Sequence, residues 1–540
     1  MTNIVNSINQ RLLQALKVNA ARPAIYENDV IYSYRWLSDA VASTASRMEQ
    51  LSVTKGDRVA FQLRNSREAV VLLLSTLMIG AIPVPILPSY RQKELRHILQ
   101  LTRPKMFALQ RGTRRYDPLA DLQRLFSEGI SINTLIIEGY EGADKDGRYL
   151  DLQSFCTPMA LTPPLEAEML GPDDTAMMLL SSGTTGLPKA IARKNGGYSG
   201  MIEGGCDVFA LDHSSVYLAA MPVSHGFIIN CPGILGTLSR GGAVALADTP
   251  SAQEALDIIE RCKVTHTTLV PALLLQWSEW QQQSQHNLSS LWHVQVGGAR
   301  ISAELAQRAS SILGITLQQC YGMSEGLLCF SGLADSDVLR FNSQGRALSM
   351  QDEIIIVDEQ GAPLPAGQVG ELITRGPYTI TEYYQNPEAN FTSFTRDGFY
   401  RTGDLAHVDR AGNVFIAGRV NDAINRGGEK FSPNEIEEVA EQHPSVAKAA
   451  CIGIDDALYG EVPCLFVASN DDALTLGTLR RFFETQGVAA FKAPEKLVFL
   501  DTIPMKGIGK IDRLALREIW RQQAEVSLNN QDSVYDNITK

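Results

Sequence analysis

The chain has 540 residues, 44 % of them hydrophobic, and a net charge of −12. That length buries more than one core, so more than one domain is expected. The acidic balance excludes nucleic acid and an anionic membrane as main partners, since both need a basic face. The eight cysteines are scattered without close pairs, which fits free thiols in a reducing, cytoplasmic setting better than a disulfide frame or a zinc site.

In chain order, residues 1–20 read as an amphipathic helix rather than a signal peptide, because polar residues recur every few positions. A strand at 59–63 precedes a helix from near Arg67. The long apolar run 69–87 is broken by Gly80, Pro83, Pro85 and Pro88. It is therefore a buried helix followed by a short strand, and no membrane span is expected. Further strands at 175–180, 243–246, 266–270 and 315–319 alternate with helices starting near Ser251 and after Pro271. Such alternation predicts a mostly parallel sheet with crossover helices. The pattern changes around 418–422 to a compact α+β arrangement: a helix at 433–442 and strands at 447–454 and 462–467. Helices near Leu476 and Arg513 flank a lysine loop at 506–510. The polar stretch after Glu525 is expected to be disordered.

The most informative segment is the loop after the 175–180 strand, Ser181-Ser182-Gly183-Thr184-Thr185-Gly186-Leu187-Pro188-Lys189. Glycines let backbone N–H groups approach a ligand, hydroxyls ring an anion, and the lysine adds a point charge, which together suit a polyphosphate. It is not the Walker loop, which has a glycine before its lysine and a hydroxyl after it. As an isolated pattern it equally describes a polar surface turn.

Its companions are Tyr321-Gly322-Met323-Ser324-Glu325-Gly326, Gly370-Glu371-Leu372-Ile373-Thr374-Arg375-Gly376-Pro377 and Tyr400-Arg401-Thr402-Gly403-Asp404. Gly418-Arg419, Asn425-Arg426-Gly427-Gly428-Glu429-Lys430 and Gly507-Ile508-Gly509-Lys510-Ile511-Asp512 follow. In this order the series resembles the adenylate-forming enzymes, which include acyl-CoA synthetases, luciferases and the adenylation domains of nonribosomal peptide synthetases. The resemblance covers roughly residues 20 to 520. It implies an α/β fold: a large N-terminal domain (1–419) with mixed and parallel sheets, and a small α+β C-terminal domain (420–525) that rotates about a hinge. A tail at 526–540 lies beyond them.

The resemblance implies a two-step reaction, in which a carboxylate and ATP give an acyl-adenylate and pyrophosphate, and a thiol then displaces AMP. ATP and Mg2+ are the implied cofactors. Lys510 matches the family's catalytic lysine, although a lysine in a turn is ordinarily just solvated. Glu325 matches the magnesium ligand, Asp404 the ribose-binding carboxylate, and Arg419 a basic group on the same nucleotide. Ser181, Ser182, Gly183, Thr184, Thr185 and Lys189 would hold phosphates. Gln319, Tyr321, Gly322 and Gly298 would flank the nucleotide. Asn421 falls at the hinge, where most relatives carry Asp or Lys, and Gly427, Gly428 and Lys430 would line the thiol tunnel.

Nearly the whole chain resembles the stand-alone aryl-acid–AMP ligases that load peptide synthetases. The ring pocket implied is His225, Gly226, Phe227, Cys231, Gly297, Ala299, Met323 and Leu328. Relatives binding ortho-hydroxybenzoates usually have Asn where this chain has Gly226, and Ser or Cys at the position of Cys231. An ortho-substituted benzoate is expected, with an aminobenzoate favoured over salicylate or 2,3-dihydroxybenzoate. The acyl acceptor expected is the phosphopantetheine thiol of a carrier protein on a separate chain; an aryl-CoA ligase using free coenzyme A is the alternative. A competing motif remains, because Gly322-Met323-Ser324-Glu325-Gly326 also fits the nucleophile elbow of α/β-hydrolases. That elbow needs a helix after its serine, and the residues following Gly326 start a helix poorly.

Overall fold

The computed structural model describes residues 7–523 apart from 113–115, 143–147, 182–186, 300, 302, 421–422, 470, 472 and 507–509, with Lys506 and Lys510 described by backbone alone. The sequence readings that fall on Ser182, Gly183, Thr184, Thr185, Asn421 and the 526–540 tail lie outside the described residues. Two compact units separate at Val420.

In the larger unit, β-branched and aliphatic runs form a nine-stranded sheet. Its centre is parallel: Thr316–Gly322, His293–Gly297, His266–Leu269, Val216–Ala219, Ala243–Leu246 and Pro23–Glu27 lie side by side in that order. Antiparallel strands close both edges, Leu328–Phe330 with Arg346–Ala347 on one side and Val30–Ser33 on the other. Parallel strands need crossovers, which the helices Ala252–Cys262, Pro271–Ser284 and Ala303–Leu313 supply. Ser251 caps the first of these by accepting from Glu254 N–H, and Pro271 opens the second at a position where its missing N–H costs nothing.

The apolar run broken by prolines is the helix Arg67–Met78, buried from Ala69 onward, followed by the strand Ile82–Pro85. That strand belongs to a second, all-parallel five-stranded sheet with Arg58–Gln62, Met106–Leu109, Thr134–Ile137 and Tyr149–Asp151. The amphipathic N-terminal segment is the helix Ile8–Val18, which buries Ile8, Leu12 and Leu16. A four-stranded antiparallel sheet, Glu353–Val357, Gly370–Arg375, Tyr400–Val408 and Val414–Arg419, ends the unit. No helix of the described residues is long and apolar enough to cross a membrane. All eight cysteines are buried free thiols.

The smaller unit packs the helices Pro433–Ala440 and Leu476–Thr485 on a sheet whose long strands are Lys448–Asp456 and Gly460–Ala468. Gly427 and Gly428, at φ of 59° and 98°, form the two-residue turn between the strands Ile424–Arg426 and Glu429–Phe431. Two successive positive φ angles suit the twist of a hairpin and demand residues without a Cβ. Either side of the expected lysine loop, Met505–Lys506 pairs antiparallel with Lys510–Ile511; residues 507–509 of that loop lie outside the described ones.

Two histidines inside the large sheet share one acceptor. His266 Nε2 and His293 Nδ1 each lie 3.1 Å from the carbonyl oxygen of Phe209. Burial pushes the His266 pKa down to about 4, and burial together with the neighbouring His266 pushes that of His293 to about 3. Both therefore stay neutral in the folded chain while the unfolded chain protonates them near pH 6.5. Unfolding takes up protons below that value, so this stability is complete above about pH 6.5 and declines as pH falls towards 4. The expected loss at pH 5 is about 2 kcal/mol per histidine. Denaturation midpoints at pH 7.5 and pH 5 should differ accordingly, and less so in His293→Phe; an equal pH sensitivity in that variant contradicts the assignment.

Candidate active site

Because Val216–Ala219, His266–Leu269, His293–Gly297 and Thr316–Gly322 run parallel, the segments that follow them leave from one edge of the sheet. Open α/β sheets bind their ligands outside such carboxyl ends. From this edge come His225, the turn at Gly297-Gly298-Ala299, and Met323-Ser324-Glu325. Their contacts show them converging. A Cβ on Gly297 would stand 3.0 Å from the Phe227 ring and 2.6 Å from the Cys320 carbonyl, so only glycine lets that ring close on the strand. A Cβ on Gly226 would face Leu179, Asn230 and, at 3.8 Å, Ser324 Oγ.

His225 caps the short helix Gly226–Asn230, its Nδ1 accepting from Phe227 N–H at 3.2 Å. Burial pushes its pKa down to about 4, so the ring is neutral and carries its proton on Nε2. Burial also pushes the Cys231 thiol up to about 12, with Arg193 opposing. Cys231 thus remains a small neutral wall rather than a nucleophile. Leu328 is buried and Met323 half-buried against the same core. The result is an apolar recess edged by a few polar groups, which is the usual make-up of a small-molecule pocket.

A second set of residues surrounds Asp404. This carboxylate lies directly across the strand pair from Arg419, which donates to Oδ1, while Tyr321 Oη donates to Oδ2 at 2.8 Å. Burial, then the Asp404 charge, hold the Tyr321 hydroxyl far above its usual pKa, so it remains a donor. Gln319 is buried, and its amide is engaged by the Arg340 carbonyl and by Gln344. Its neighbourhood is therefore fixed by protein contacts rather than by an open amide.

The third set joins Lys189 and Glu325. Ser181 and Lys189 are register partners at the ends of the hairpin strands Thr175–Ser181 and Lys189–Lys194, and the phosphate-type loop connects them. Ser181 Oγ is buried without a partner among the described residues. Lys189 Nζ sits 4.5 Å from the centre of the Tyr383 ring. Burial lowers its pKa and Glu325 opposes that shift. Tyr383 Oη donates to Glu325 Oε1 at 2.8 Å and lies 3.0 Å from Tyr400 Oη. Sequence reasoning gave neither tyrosine a role; Tyr400 stands inside a quoted motif, while Tyr383 carries no local signal. No cluster of three or more acidic, histidine or cysteine groups among the described residues could hold a metal by itself. Lys510, Gly427, Gly428 and Lys430 belong to the smaller unit.

The hydrolase motif fails on topology. After Ser324 the chain enters the strand Leu328–Phe330, which pairs back on Thr316–Gly322, so no helix follows the serine. The carbonyl of Ser324 accepts from the buried Arg193, which ties its backbone to the core.

Comparison with known proteins decides the class. The AMP-binding enzyme family matches residues 12–384 and the AMP-binding enzyme C-terminal domain matches residues 435–510. The chain belongs to the AMP-binding, adenylate-forming enzymes. This adenylate-forming ligase is 36 % identical over 497 residues to the 2,3-dihydroxybenzoate-AMP ligase of Bacillus subtilis, covering 92 % of this chain and 90 % of that one. It is 37 % identical over 527 residues to the 2-hydroxy-7-methoxy-5-methyl-1-naphthoate--CoA ligase of Streptomyces carzinostaticus, covering 96 % and 94 %. Among solved structures, apo MbtA of Mycobacterium smegmatis superposes with a TM-score of 0.70 at 33 % identity, covering 95 % and 94 %.

One hydroxyl of this ligase is open to a direct test. Tyr383→Phe deletes the donor to Glu325 and leaves a buried carboxylate short of a partner. The expected loss is about 1–3 kcal/mol of stability, read as a lower urea midpoint for the larger unit; an unchanged midpoint shows that Tyr400 or water replaces the bond.

Proposed function

We propose that this ligase activates an aryl carboxylic acid as its adenylate and transfers the aryl group to the phosphopantetheine thiol of a separate carrier protein in nonribosomal peptide synthesis. The observation that carries the reading is the apolar recess of His225, Phe227, Cys231 and Gly297 at the carboxyl edge of the sheet, in a chain whose relatives act on ring acids along nearly their full length. The ring acid favoured is an ortho-substituted benzoate, an aminobenzoate before salicylate or 2,3-dihydroxybenzoate.

In the first step a carboxylate oxygen of the substrate attacks the α-phosphorus of ATP, the new O–P bond forms, and pyrophosphate leaves. Such a transfer depends on positioning and on charge neutralisation more than on covalent help. Asp404 accepts from the ribose hydroxyls, steadied by Arg419 and Tyr321. Lys189, with Ser181, Ser182, Gly183, Thr184 and Thr185, holds the β- and γ-phosphates and then pyrophosphate. Glu325 offers a hard carboxylate oxygen for Mg2+, and a single carboxylate fits an ion whose other ligands are phosphates and water. When bound, that ion offsets phosphate charge. The neutral His225 adds no charge of its own to the recess. Lys510 supplies the cation for the attack step. In the second step the thiol sulfur attacks the acyl carbon and AMP departs, with Gly427, Gly428 and Lys430 beside the thiol arm and Asn421 at the hinge between the two conformations.

Coenzyme A is the second reading for the acceptor, favoured by the likeness to the naphthoate--CoA ligase. Thioester formation with free coenzyme A and with a phosphopantetheinylated aryl carrier protein separates the two; turnover on the carrier alone is expected. Lys510→Ala should lower adenylate formation by about a hundredfold or more. It should leave thioester formation from pre-formed adenylate largely intact, and equal loss in both steps would overturn the role. Carboxylate-dependent ATP–pyrophosphate exchange over substituted benzoates tests the acid class, and no exchange with any ring acid would end the aryl reading.

A further inference from the structure

Resting on the aryl-acid reading above, one side chain in the recess has a chemistry that none of the assigned roles uses. Asn230 closes the five-residue helix Gly226–Asn230 and is 3 % exposed, yet its Oδ1 has no hydrogen-bond partner among the described residues. Buried side-chain oxygens are seldom left in this state, because an unmet acceptor forfeits its water at a cost that nothing returns. Residues four apart share a helix face, and here the shared face leads from Asn230 to Gly226. A Cβ placed on Gly226 would lie 3.5 Å from Asn230 Oδ1, 3.5 Å from Leu179 Cδ1 and 3.8 Å from Ser324 Oγ. These are ordinary van der Waals distances, so the space would accept a Cβ, and this sequence leaves it without one. Gly226 thus removes bulk at the spot to which the unpaired amide oxygen points.

We infer that Asn230 is a specificity-determining residue for the aryl acid, its Oδ1 accepting an N–H from an amino group ortho to the substrate carboxylate.

The preference for nitrogen follows from proton counting. An ortho hydroxyl has one proton, and its nearest acceptor is the adjacent carboxylate of the same ring. An ortho amine has two: one closes the same internal bond and the second points outward, available to an acceptor in the pocket wall. Asn230 Oδ1 is an acceptor of that kind, and the neighbouring aliphatic Leu179 offers no competing one. Sites that hydrogen-bond a ligand N–H reject analogues lacking it far more strongly than apolar pockets reject a missing methylene.

The test is ATP–pyrophosphate exchange with 2-aminobenzoate, 2-hydroxybenzoate, unsubstituted benzoate and 2-methylbenzoate, the last matching the amine in size without an N–H. The unaltered protein should favour 2-aminobenzoate over 2-methylbenzoate by about 10- to 100-fold in kcat/KM. This comparison requires no variant to fold. In Asn230→Leu and Asn230→Ala the preference should collapse towards unity, while kcat/KM for benzoate changes by less than about threefold and KM for ATP stays constant. Equal use of the amino and methyl acids by the unaltered protein, or an undiminished amine preference in both variants, overturns the inference and leaves aryl adenylation standing. Exchange with none of the four acids overturns both.

Discussion

Parallel pairing of the central strands is the constraint on which the rest of the larger unit depends. Strands that run the same way deliver their following loops to the same edge, whatever the spacing in sequence. The turn after Gly297 and the residues after Gly322 reach that edge from neighbouring strands locked in register at Gly297 and Cys320. His225 arrives from two strands further along. Their convergence has a steric condition, which is visible at Gly297: a Cβ there would meet the Cys320 carbonyl oxygen at 2.6 Å and the Phe227 ring at 3.0 Å. The site is therefore a by-product of sheet direction refined by one missing side chain.

The polar groups at this edge follow a single electrostatic rule. Each buried carboxylate is met by a tyrosine hydroxyl: Tyr321 on Asp404 and Tyr383 on Glu325. A phenol donates a proton without bringing a charge, so it satisfies an oxygen while leaving the carboxylate's negative charge available to a ligand. A full ion pair at both places would have neutralised the charge within the protein. Arg419 supplies one such charge at Asp404 only, from directly across the strand pair. Neutral His225 and the un-ionised Cys231 add no charge to the neighbouring recess, burial outweighing the opposing pull of Arg193 at Cys231. The apolar recess and the tyrosine-met carboxylates thus lie under different electrostatics.

Topology also separates readings that motifs leave tied. Gly322-Met323-Ser324-Glu325-Gly326 satisfies the pattern of a nucleophile elbow as written, and only the course of the next strand distinguishes the two. Leu328–Phe330 turns back antiparallel on Thr316–Gly322, so the serine is never raised on a strand-to-helix corner. The same return strand brings Leu328 under Gly322, where a Cβ would meet its Cδ2 at 2.3 Å. The second glycine-bearing segment, Gly427-Gly428, has a local reason for its composition, since its positive φ angles close a hairpin.

Much of this protein was legible in the residues themselves. The strand at 243–246 and the helix starting near Ser251, the strand at 266–270 before Pro271, and the buried helix ended by prolines depend on short-range patterns, namely apolar runs and breakers. The structure reproduces these within a residue or two. The family was legible too, because its motifs are contiguous. What the sequence could not state is which distant side chains meet. Tyr383 and Glu325 are 58 positions apart, and Tyr321 and Asp404 are 83 apart; no periodicity links either pair. Nor does any pattern announce that Asn230 keeps an oxygen unmet among the described residues beside the space left by Gly226. Local order follows from neighbours along the chain, whereas partners of buried polar groups are chosen by packing in three dimensions, and only the tertiary structure decides them.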